Sequence, residues 1–303
     1  MRASLLALGA VVCVAGCAPA FYEGVPPGAP KTATFADVGG ARIRFVDEGE
    51  GPAVVLIHGF ASALDTWTGV MKELKRNHRV LAMDLKGFGW SSRPAGDYSP
   101  QAEARLVLDL MTQRGIASAA VVAHSWGSSI ALAMALAAPE RVTRLALYDA
   151  WAYEEELSMS FMWARAGGVG EVLFGLFYTE RPDEKMALAF YDPDRYVTEP
   201  FVEAVETALS WPGTTAAALA AARSQKFEEV EKNYRQVKQP TLLLWGRQDQ
   251  VALLTYGERL SHDLPHAHLI VYPQCGHMPM IEAAGASTDD LVSFLDEGRE
   301  KAP

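Results

Sequence analysis

The chain has 303 residues, of which 50% are hydrophobic and 21% are charged. This composition excludes a disordered chain, and the length suits one large domain or a body with an inserted subdomain. With 27 basic and 37 acidic residues the formal net charge is -10, which argues against a nucleic-acid partner because phosphates repel an acidic surface. Three cysteines cannot form a disulfide framework, and no apolar run reaches the roughly 20 residues of a membrane-spanning helix.

The first twenty residues have the features of an export signal. Arg2 precedes an uncharged, mostly apolar stretch at residues 3–16, which is too short to span a bilayer but suits the core of a signal peptide. The stretch ends in Val14-Ala15-Gly16-Cys17, which resembles the lipobox of bacterial lipoproteins. The resemblance implies a signal peptide at residues 1–16, lipidation of Cys17, and a membrane partner in the bacterial cell envelope, at the outer membrane. Alternatively, Ala18-Pro19-Ala20 fits an A-x-A cleavage site, which would release a soluble protein.

Residues 17–31 are predicted to form a tether. They hold four prolines and two glycines without periodicity, as expected of a segment that lets an anchored body stand off the membrane.

From residue 32 onward, strand patterns alternate with helical patterns. Residues 32–49 alternate as an antiparallel ribbon does. Continuous apolar runs, typical of buried parallel strands, occur at 53–57, 80–83, 119–123, 242–245 and 269–272. Helical spacing occurs at 66–75, 102–114, 126–138, 253–264 and 287–300. This alternation predicts an α/β fold, with a mostly parallel sheet and helices on both faces.

The alternation stops at residues 151–239, which hold helical patterns and no clear strand run. We therefore predict a helical cap there, inserted between two strands of a core formed by 32–150 and 240–303. In open α/β sheets ligands bind at the carboxyl ends of the strands, so the insertion should cover the site. Its large apolar side chains are expected to build the core of the cap or the wall of the pocket. They comprise Met159, Phe161, Met162, Trp163, Val172, Leu173, Phe174, Leu176, Phe177 and Tyr178.

A serine motif lies where one predicted strand meets a helix. Ala123-His124-Ser125-Trp126-Gly127 resembles the nucleophile elbow of the α/β-hydrolase fold, G-x-S-x-G, with Ala123 in place of the first glycine. The sharp turn requires small residues two positions before and after the serine, and Ala123 and Gly127 satisfy this requirement. The resemblance implies that Ser125 is the nucleophile.

Three further segments resemble the same family. Leu56-Ile57-His58-Gly59-Phe60 resembles the oxyanion turn, which implies that the backbone N–H groups of Phe60 and Trp126 stabilise an oxyanion. Residues 245–249 resemble the segment that supplies the acid, Asp249, and residues 272–279 the segment that supplies the base, His277. Ser125, Asp249 and His277 follow the chain order of this fold. We expect a small-molecule substrate, no cofactor and no metal.

Other polar residues receive structural interpretations. Asp84 in a glycine-rich loop is expected to bind loop amides, and His124 to be a packed neighbour of the nucleophile. His266 and His268 are too few for a metal site and are expected to be exposed. Cys275 is predicted to be a small buried packing residue.

The preferred function is a serine hydrolase that cleaves carboxylic esters. Ser125-Trp126-Gly127-Ser128 also resembles the elbow of proline iminopeptidases, for which Glu154, Glu155 and Glu156 could hold a substrate ammonium, although these three are more simply a solvated helix start. Carbon–carbon bond hydrolases share the same triad, and a fold does not choose among these chemistries. A non-catalytic envelope lipoprotein is the alternative outside enzymes.

Overall fold

The computed structural model of this protein describes residues 19–297. The predicted signal peptide, Cys17 and residues 298–303 lie outside the described residues, so the lipobox stays a prediction. Between residues 19 and 297, no helix has both the length and the hydropathy required to cross a bilayer.

One eight-stranded sheet forms the centre of the molecule. Its strands are β1 (Thr34–Val38), β2 (Ala41–Glu48), β3 (Ala53–Ile57), β4 (Arg79–Met83), β5 (Ala119–His124), β6 (Val142–Tyr148), β7 (Thr241–Gly246) and β8 (Ala267–Tyr272). The spatial order is β1-β2-β4-β3-β5-β6-β7-β8. β2 pairs antiparallel with β1 and β4, and all other pairs are parallel. The predicted α/β class with a mostly parallel sheet is confirmed.

The sequence analysis missed β6. Its first half is interrupted by Thr143 and Arg144, so no continuous apolar run marks it. Its second half is buried between β5 and β7, where Leu147 pairs with Ala123 on one side and Leu243 on the other. The strand was therefore hidden by two polar residues at its exposed end.

Three helices follow the first strands, namely α1 (Thr68–Leu74), α2 (Pro100–Gln113) and α3 (Trp126–Ala137). α3 is apolar on nearly all sides and almost wholly buried, as predicted. Short 3-10 turns occur at Leu64–Trp67 and Pro139–Arg141. The helix predicted at 66–75 thus begins as a 3-10 turn, and its α-helical part is α1.

Seven helices lie between β6 and β7, in a stretch that the structure describes throughout its backbone and that contains no strand. They are α4 (Met159–Ala164), α5 (Val169–Phe177), α6 (Asp183–Ala187), α7 (Pro193–Tyr196), α8 (Glu199–Leu209), α9 (Thr214–Arg223) and α10 (Phe227–Val230), with 3-10 turns at Glu154–Glu156 and Glu231–Gln236. α9 joins this cap to the body. Its Ala217 and Ala221 pack in the main core, while Ala218 and Leu219 pack against Ala164 and neighbouring cap residues.

The chain closes with α11 (Leu254–Asp263), α12 (Pro279–Glu282) and α13 (Ala284–Asp296). Residues of α2, α3 and α11 pack on one face of the sheet, and residues of α1, α12 and α13 pack on the other. Helices therefore cover both faces, and the carboxyl ends of the parallel strands face the cap.

The expectation that the large apolar side chains of the cap build its core or line the pocket is wrong for six of the ten. Phe161, Leu173, Phe174 and Tyr178 are at least partly buried in hydrophobic clusters. The other six are exposed, namely Met159, Met162, Trp163, Val172, Leu176 and Phe177. The interior positions are occupied instead by the alanine-rich α9.

The segment predicted as a tether is attached to the body at Tyr22. Tyr22 forms an antiparallel bridge with Arg93, in which each backbone N–H donates to the other carbonyl at 2.9 and 2.8 Å. The ring of the preceding Phe21 stacks on Tyr98 with centroids 6.2 Å apart. The chain from Tyr22 onward is therefore not a free spacer.

Candidate active site

Ser125 stands on a sharp turn between β5 and α3. Its backbone has φ 50° and ψ -123°, a left-handed conformation that is strained for a residue with a side chain. The turn is fixed because Ser125 N donates to Tyr148 O on the neighbouring strand at 2.9 Å. A Cβ atom on Gly127 would lie 2.5 Å from His58 O and 2.7 Å from Ile57 O. Glycine is thus required at that position for the helix to approach β3.

Asp249 and His277 form the second half of the site. Asp249 lies just beyond β7, and His277 lies in the loop between β8 and α12. Nδ1 of His277 is 2.8 Å from Oδ2 of Asp249, and because a carboxylate only accepts, the ring N–H is the donor. Oδ1 of Asp249 accepts from the backbone N–H groups of Val251 at 2.7 Å and Ala252 at 3.0 Å. The carboxylate is therefore held by donors on both oxygens.

The two halves meet at His124, the residue that precedes Ser125. The rings of His124 and His277 have centroids 4.7 Å apart. Nε2 of His124 is 2.8 Å from the carbonyl oxygen of His277, so this nitrogen carries the proton. Burial, and then the neighbouring His277, lower the pKa of His124 well below its usual value, so it is neutral. His124 is a packed neighbour, as predicted, and it also holds the backbone of His277.

The predicted oxyanion turn packs directly against the elbow. Nε2 of His58 accepts from Leu85 N at 2.9 Å, and Nδ1 donates to Gly59 O at 2.7 Å. Burial lowers the pKa of His58 to about 4, so the ring is neutral and ties the end of β3 to the loop after β4. A Cβ on Gly59 would lie 3.1 Å from that of Ser125. Trp126 is the first residue of α3, and its N–H has no acceptor within the helix.

Aromatic rings from the body and the cap cover this turn. The ring of Phe60 lies 5.3 Å from Phe88 and 6.1 Å from Trp126 in the body, and 5.1 Å from Phe161 and 6.3 Å from Tyr178 in the cap. Ser125 and His277 are each only 6% exposed. The candidate site is thus almost closed to solvent and is bordered by aromatic rings of the body and the cap.

The other polar residues of the sequence analysis have mostly structural environments. Asp84 accepts from Leu64 N at 2.7 Å and Trp90 N at 2.8 Å, while burial raises its pKa to about 6. Cys275 is fully buried. His266 and His268 are both exposed.

The interpretation of residues 154–156 as a solvated helix start is wrong for Glu156. Glu156 is buried, and its Oε2 accepts from the backbone N–H groups of Ala152 and Tyr153, each at 2.8 Å. Glu154 forms an ion pair with Arg165. Glu155 forms an exposed ion pair with Arg259 at 3.3 Å.

One buried acid at the site was missed. Asp149 directly follows β6 and is fully buried, with its Oδ1 accepting from Gly246 N at 2.9 Å. A carboxylate just after a strand was a usable signal, but the strand itself had not been recognised.

Residues 52–284 match the family model described as alpha/beta hydrolase fold. The chain belongs to this family. The match covers about three quarters of the chain, including β3 to β8 and the cap, and the protein is a hydrolase of that fold.

Relatives of this alpha/beta hydrolase include enzymes with different substrates. It is 28% identical over 286 residues to a 2-hydroxymuconate semialdehyde hydrolase of Pseudomonas sp. (strain CF600), covering 90% of this chain and 96% of that one. It is 28% identical over 261 residues to Lipase 3 of Moraxella sp. (strain TA144), and the match covers 82% of this chain and 79% of that one. Among solved structures, a meta-cleavage product hydrolase from Pseudomonas fluorescens IP01 superposes with a TM-score of 0.74 at 25% identity. The superposition covers 88% of this chain and 98% of that one.

Proposed function

We propose that this hydrolase cleaves carboxylic esters of small to medium, apolar or aromatic substrates through an acyl-enzyme. The observation that carries the proposal is the 2.8 Å bond between His277 Nδ1 and Asp249 Oδ2 beside the strained turn of Ser125. Asp249 fixes the tautomer in which Nε2 of His277 is the free base.

Each residue has a defined role in the proposed reaction. His277 takes the proton of Ser125 as Oγ attacks the ester carbonyl, and then returns it to the leaving alcohol. The backbone N–H groups of Phe60 and Trp126 stabilise the negative oxygen of the tetrahedral intermediate. Water, deprotonated by the same histidine, then attacks the acyl-enzyme and releases the acid.

The lining of the site supports a neutral substrate. Phe60, Phe161 and Tyr178 offer ring faces and edges to an acyl or aryl group. The cap arginines Arg165 and Arg223 are paired with acids, the latter with Glu171 at 2.7 Å. Neither presents an unpaired charge to a substrate carboxylate.

The aminopeptidase alternative loses its support. It requires free carboxylates for a substrate ammonium, but Glu154 and Glu155 are paired with arginines and Glu156 accepts two backbone N–H groups. We therefore expect no preference for substrates with a free amino terminus.

A carbon–carbon bond hydrolase is the second candidate, because a 2-hydroxymuconate semialdehyde hydrolase matches over 90% of this chain. The substrate in that name carries a carboxylate, and a buried cation would be needed to hold it. Arg165 and Arg223 are not free to hold it, whereas the buried Arg93 has no carboxylate partner among the described residues, because its guanidinium donates only to Thr214 Oγ1 and to the carbonyl oxygens of Ser91 and Gly89.

A hydrolysis panel tests the choice. The substrates are aryl esters of increasing acyl length, proline arylamide and a vinylogous diketone, each assayed with the wild type and with Ser125→Ala. We expect kcat/KM to be highest for butyrate or hexanoate esters and Ser125→Ala to abolish the turnover. Faster cleavage of the diketone would replace the ester proposal with the carbon–carbon one, and undiminished ester turnover in Ser125→Ala would refute both.

We further propose that Cys17 is lipidated and anchors the hydrolase in the bacterial cell envelope. The proposal is supported by Val14-Ala15-Gly16-Cys17 at the end of the apolar stretch. Cys17→Ser should move the protein from the membrane fraction to a soluble or unprocessed form. An intact mass that corresponds to an unmodified N-terminus at Phe21 would instead support cleavage after Ala20.

A further inference from the structure

Two neighbouring cap helices expose large apolar side chains. We name this surface the cap apolar face, and it consists of Met159, Met162, Trp163, Val169, Val172, Leu176 and Phe177 on α4 and α5. Met159 and Leu176 are each 62% exposed, and Trp163 is 54% exposed. Contiguous exposed apolar side chains on a protein surface mark an interaction site.

The cap apolar face carries no unpaired charge. Between residues 157 and 179 the only charged side chains are Arg165 and Glu171, and each is in an ion pair, with Glu154 and Arg223 respectively. Although the chain has a net charge of -10, this neutral surface itself would not be repelled by an anionic lipid surface.

The N-terminal segment and α5 border the same groove. Pro19 to Tyr22 form one wall of a groove of about 730 Å³, and Val172 and Leu176 of α5 form part of another. Residue 17 precedes Pro19 by two residues, which span at most about 7 Å of extended chain. A lipid on Cys17 would therefore be attached next to the cap apolar face.

We propose that the cap apolar face lies in the interface of a lipid bilayer, beside the anchor. An apolar helical surface with a tryptophan and without unpaired charge suits the boundary between headgroups and acyl chains. The proposal rests on the proposed lipidation of Cys17, and it places the cap of the hydrolase where apolar esters partition.

Fluorescence quenching tests this placement. The purified full chain is reconstituted into phosphatidylcholine vesicles whose acyl chains carry bromine, and its tryptophan emission is compared with that of Trp163→Phe. We expect quenching in the wild type, and loss of most of it in Trp163→Phe. Met159→Gln with Leu176→Gln should also weaken it, whereas Leu253→Gln, at an exposed apolar position of the body, should not.

The outcomes separate the two proposals. A lipidated intact mass with equal quenching in wild type and Trp163→Phe overturns the docking proposal and leaves the anchor standing. An unlipidated mass refutes the anchor, and quenching by added vesicles then still reports on the face. A dimer in sedimentation that Trp163→Phe dissociates would show that a second copy covers the face, and would also overturn docking.

A separate observation concerns Asp149, the buried acid after β6. Its backbone has φ 41°, strained for a residue with a side chain. Its N–H donates to Leu244 O at 3.0 Å, and its Oδ1 accepts from Gly246 N. Among the described residues, no donor reaches Oδ2 of Asp149.

Asp149 faces the catalytic acid and base. One carboxyl oxygen of Asp149 and one ring nitrogen each of His124 and His277 lie within 4.8 Å of one another. Nδ1 of His277 is also 2.8 Å from Oδ2 of Asp249, so the two carboxyl groups lie beside the same imidazole. The other titratable groups that act on its surroundings are Tyr148, Glu156, Cys275 and Glu282.

Two carboxyl groups that are buried beside one imidazole repel each other when both are ionised, so the less stabilised one takes up a proton. Asp249 accepts from three donors, namely His277 Nδ1 and two backbone N–H groups, whereas Asp149 accepts from one. The charge is therefore better stabilised on Asp249. A proton on Oδ2 of Asp149 would also supply the missing partner of that atom.

We infer that Asp149 is a positioning residue that is protonated at neutral pH and donates a hydrogen bond from Oδ2 to the carboxylate of Asp249. Burial, and then the charge of Asp249, raise the pKa of Asp149 well above its usual value. The bond holds Asp249 in the orientation that His277 requires and keeps it ionised while the imidazolium forms. The inference rests on the roles of Asp249 and His277 in the proposed function.

The test compares Asp149→Asn, which keeps a donor without a charge, with Asp149→Ala, which removes the donor. We expect the Asn variant to retain at least about tenfold more kcat than the Ala variant, with similar KM in both. The midpoint of the acid limb of the kcat/KM profile should coincide in the wild type and in Asp149→Asn, because no charge is removed. An ionised Asp149 would instead stabilise the His277 imidazolium, and its replacement would lower that midpoint.

A fall of this midpoint in Asp149→Asn, or equal kcat in the Asn and Ala variants, overturns the inference. If the Ala variant fails to fold, difference infrared spectra of wild type against Asp149→Asn decide the protonation state. The bands of other buried acids such as Glu156 cancel in the difference spectrum, so the carbonyl band of one protonated buried carboxyl should remain on the wild-type side, and its absence refutes the inference. This readout needs no turnover, so it separates this inference from the proposed function.

Discussion

Gly127 is the position where the elbow leaves least space, and Gly127→Ala is the sharpest test of its geometry. The new Cβ would lie 2.5 Å from His58 O and 2.7 Å from Ile57 O, both backbone atoms at the end of β3. Since neither atom can rotate away, β3 and α3 must separate by roughly 0.5 to 1 Å, and such overpacking costs about 1 to 3 kcal/mol. For a chain of this size the melting temperature should fall by roughly 2 to 5 °C.

Activity should fall as well, because His58 lies two residues before Phe60. A displacement of about 1 Å in a reacting arrangement costs up to about 100-fold in rate, so we expect kcat to decrease between about tenfold and 100-fold. KM should change little, since the cap contacts of the substrate are not altered. Calorimetry and steady-state hydrolysis of an aryl butyrate measure the two effects.

The matched control is Gly69→Ala. Gly69 lies in α1 and a Cβ there would meet no atom within 4 Å, so the change should stabilise the fold by about 0.5 to 1 kcal/mol through helix propensity alone. Turnover should stay at the wild-type value. If Gly127→Ala behaves like Gly69→Ala in both measurements, the packing of the elbow against β3 is not what positions the site.

Three further predictions follow from the site. Ser125→Ala should lower kcat by a factor on the order of 10⁶, and adding His277→Ala should lower it little further, because the residues act as a unit. Asp249→Asn should lower kcat by a factor of about 10⁴, because asparagine favours the wrong tautomer of the His277 ring. Burial raises the pKa of Glu156 from 4.5 to about 8, so the folded state holds a proton that the unfolded chain releases between these values. The free energy of unfolding should therefore fall as the pH rises from 4.5 to about 8, and denaturant titrations should find a smaller fall in Glu156→Gln. Phe161→Ala removes one ring from the cover of the site and should lower kcat/KM for aryl esters about fivefold relative to a small aliphatic ester; an equal change for both would show that the ring does not contact the substrate.

The candidate triad could be predicted from the sequence because each member follows a strand. Ser125, Asp249 and His277 come after the apolar ends of β5, β7 and β8, and parallel strands bring their carboxyl ends to one edge of the sheet. Asp149 obeys the same rule, but Thr143 and Arg144 mask the strand before it. What the sequence could not supply was that the two carboxyl groups lie beside the same imidazole, that of His277.

The cap could not be predicted in detail, because a helical pattern gives an apolar face without saying what covers it. Large apolar side chains such as Met159, Trp163 and Leu176 are expected to be buried in the core of the cap, yet they are exposed. The interior is formed by α9, whose alanines from residue 216 to 222 allow a close approach to the body on one side and to α4 and α5 on the other. Each alanine contributes little hydrophobic energy by itself, but its small side chain permits neighbouring elements to contact α9 closely on both sides. The bulky side chains that remain exposed are the reason for proposing a partner outside the fold, and the N-terminal segment beside the same groove is the reason for proposing a bilayer as that partner.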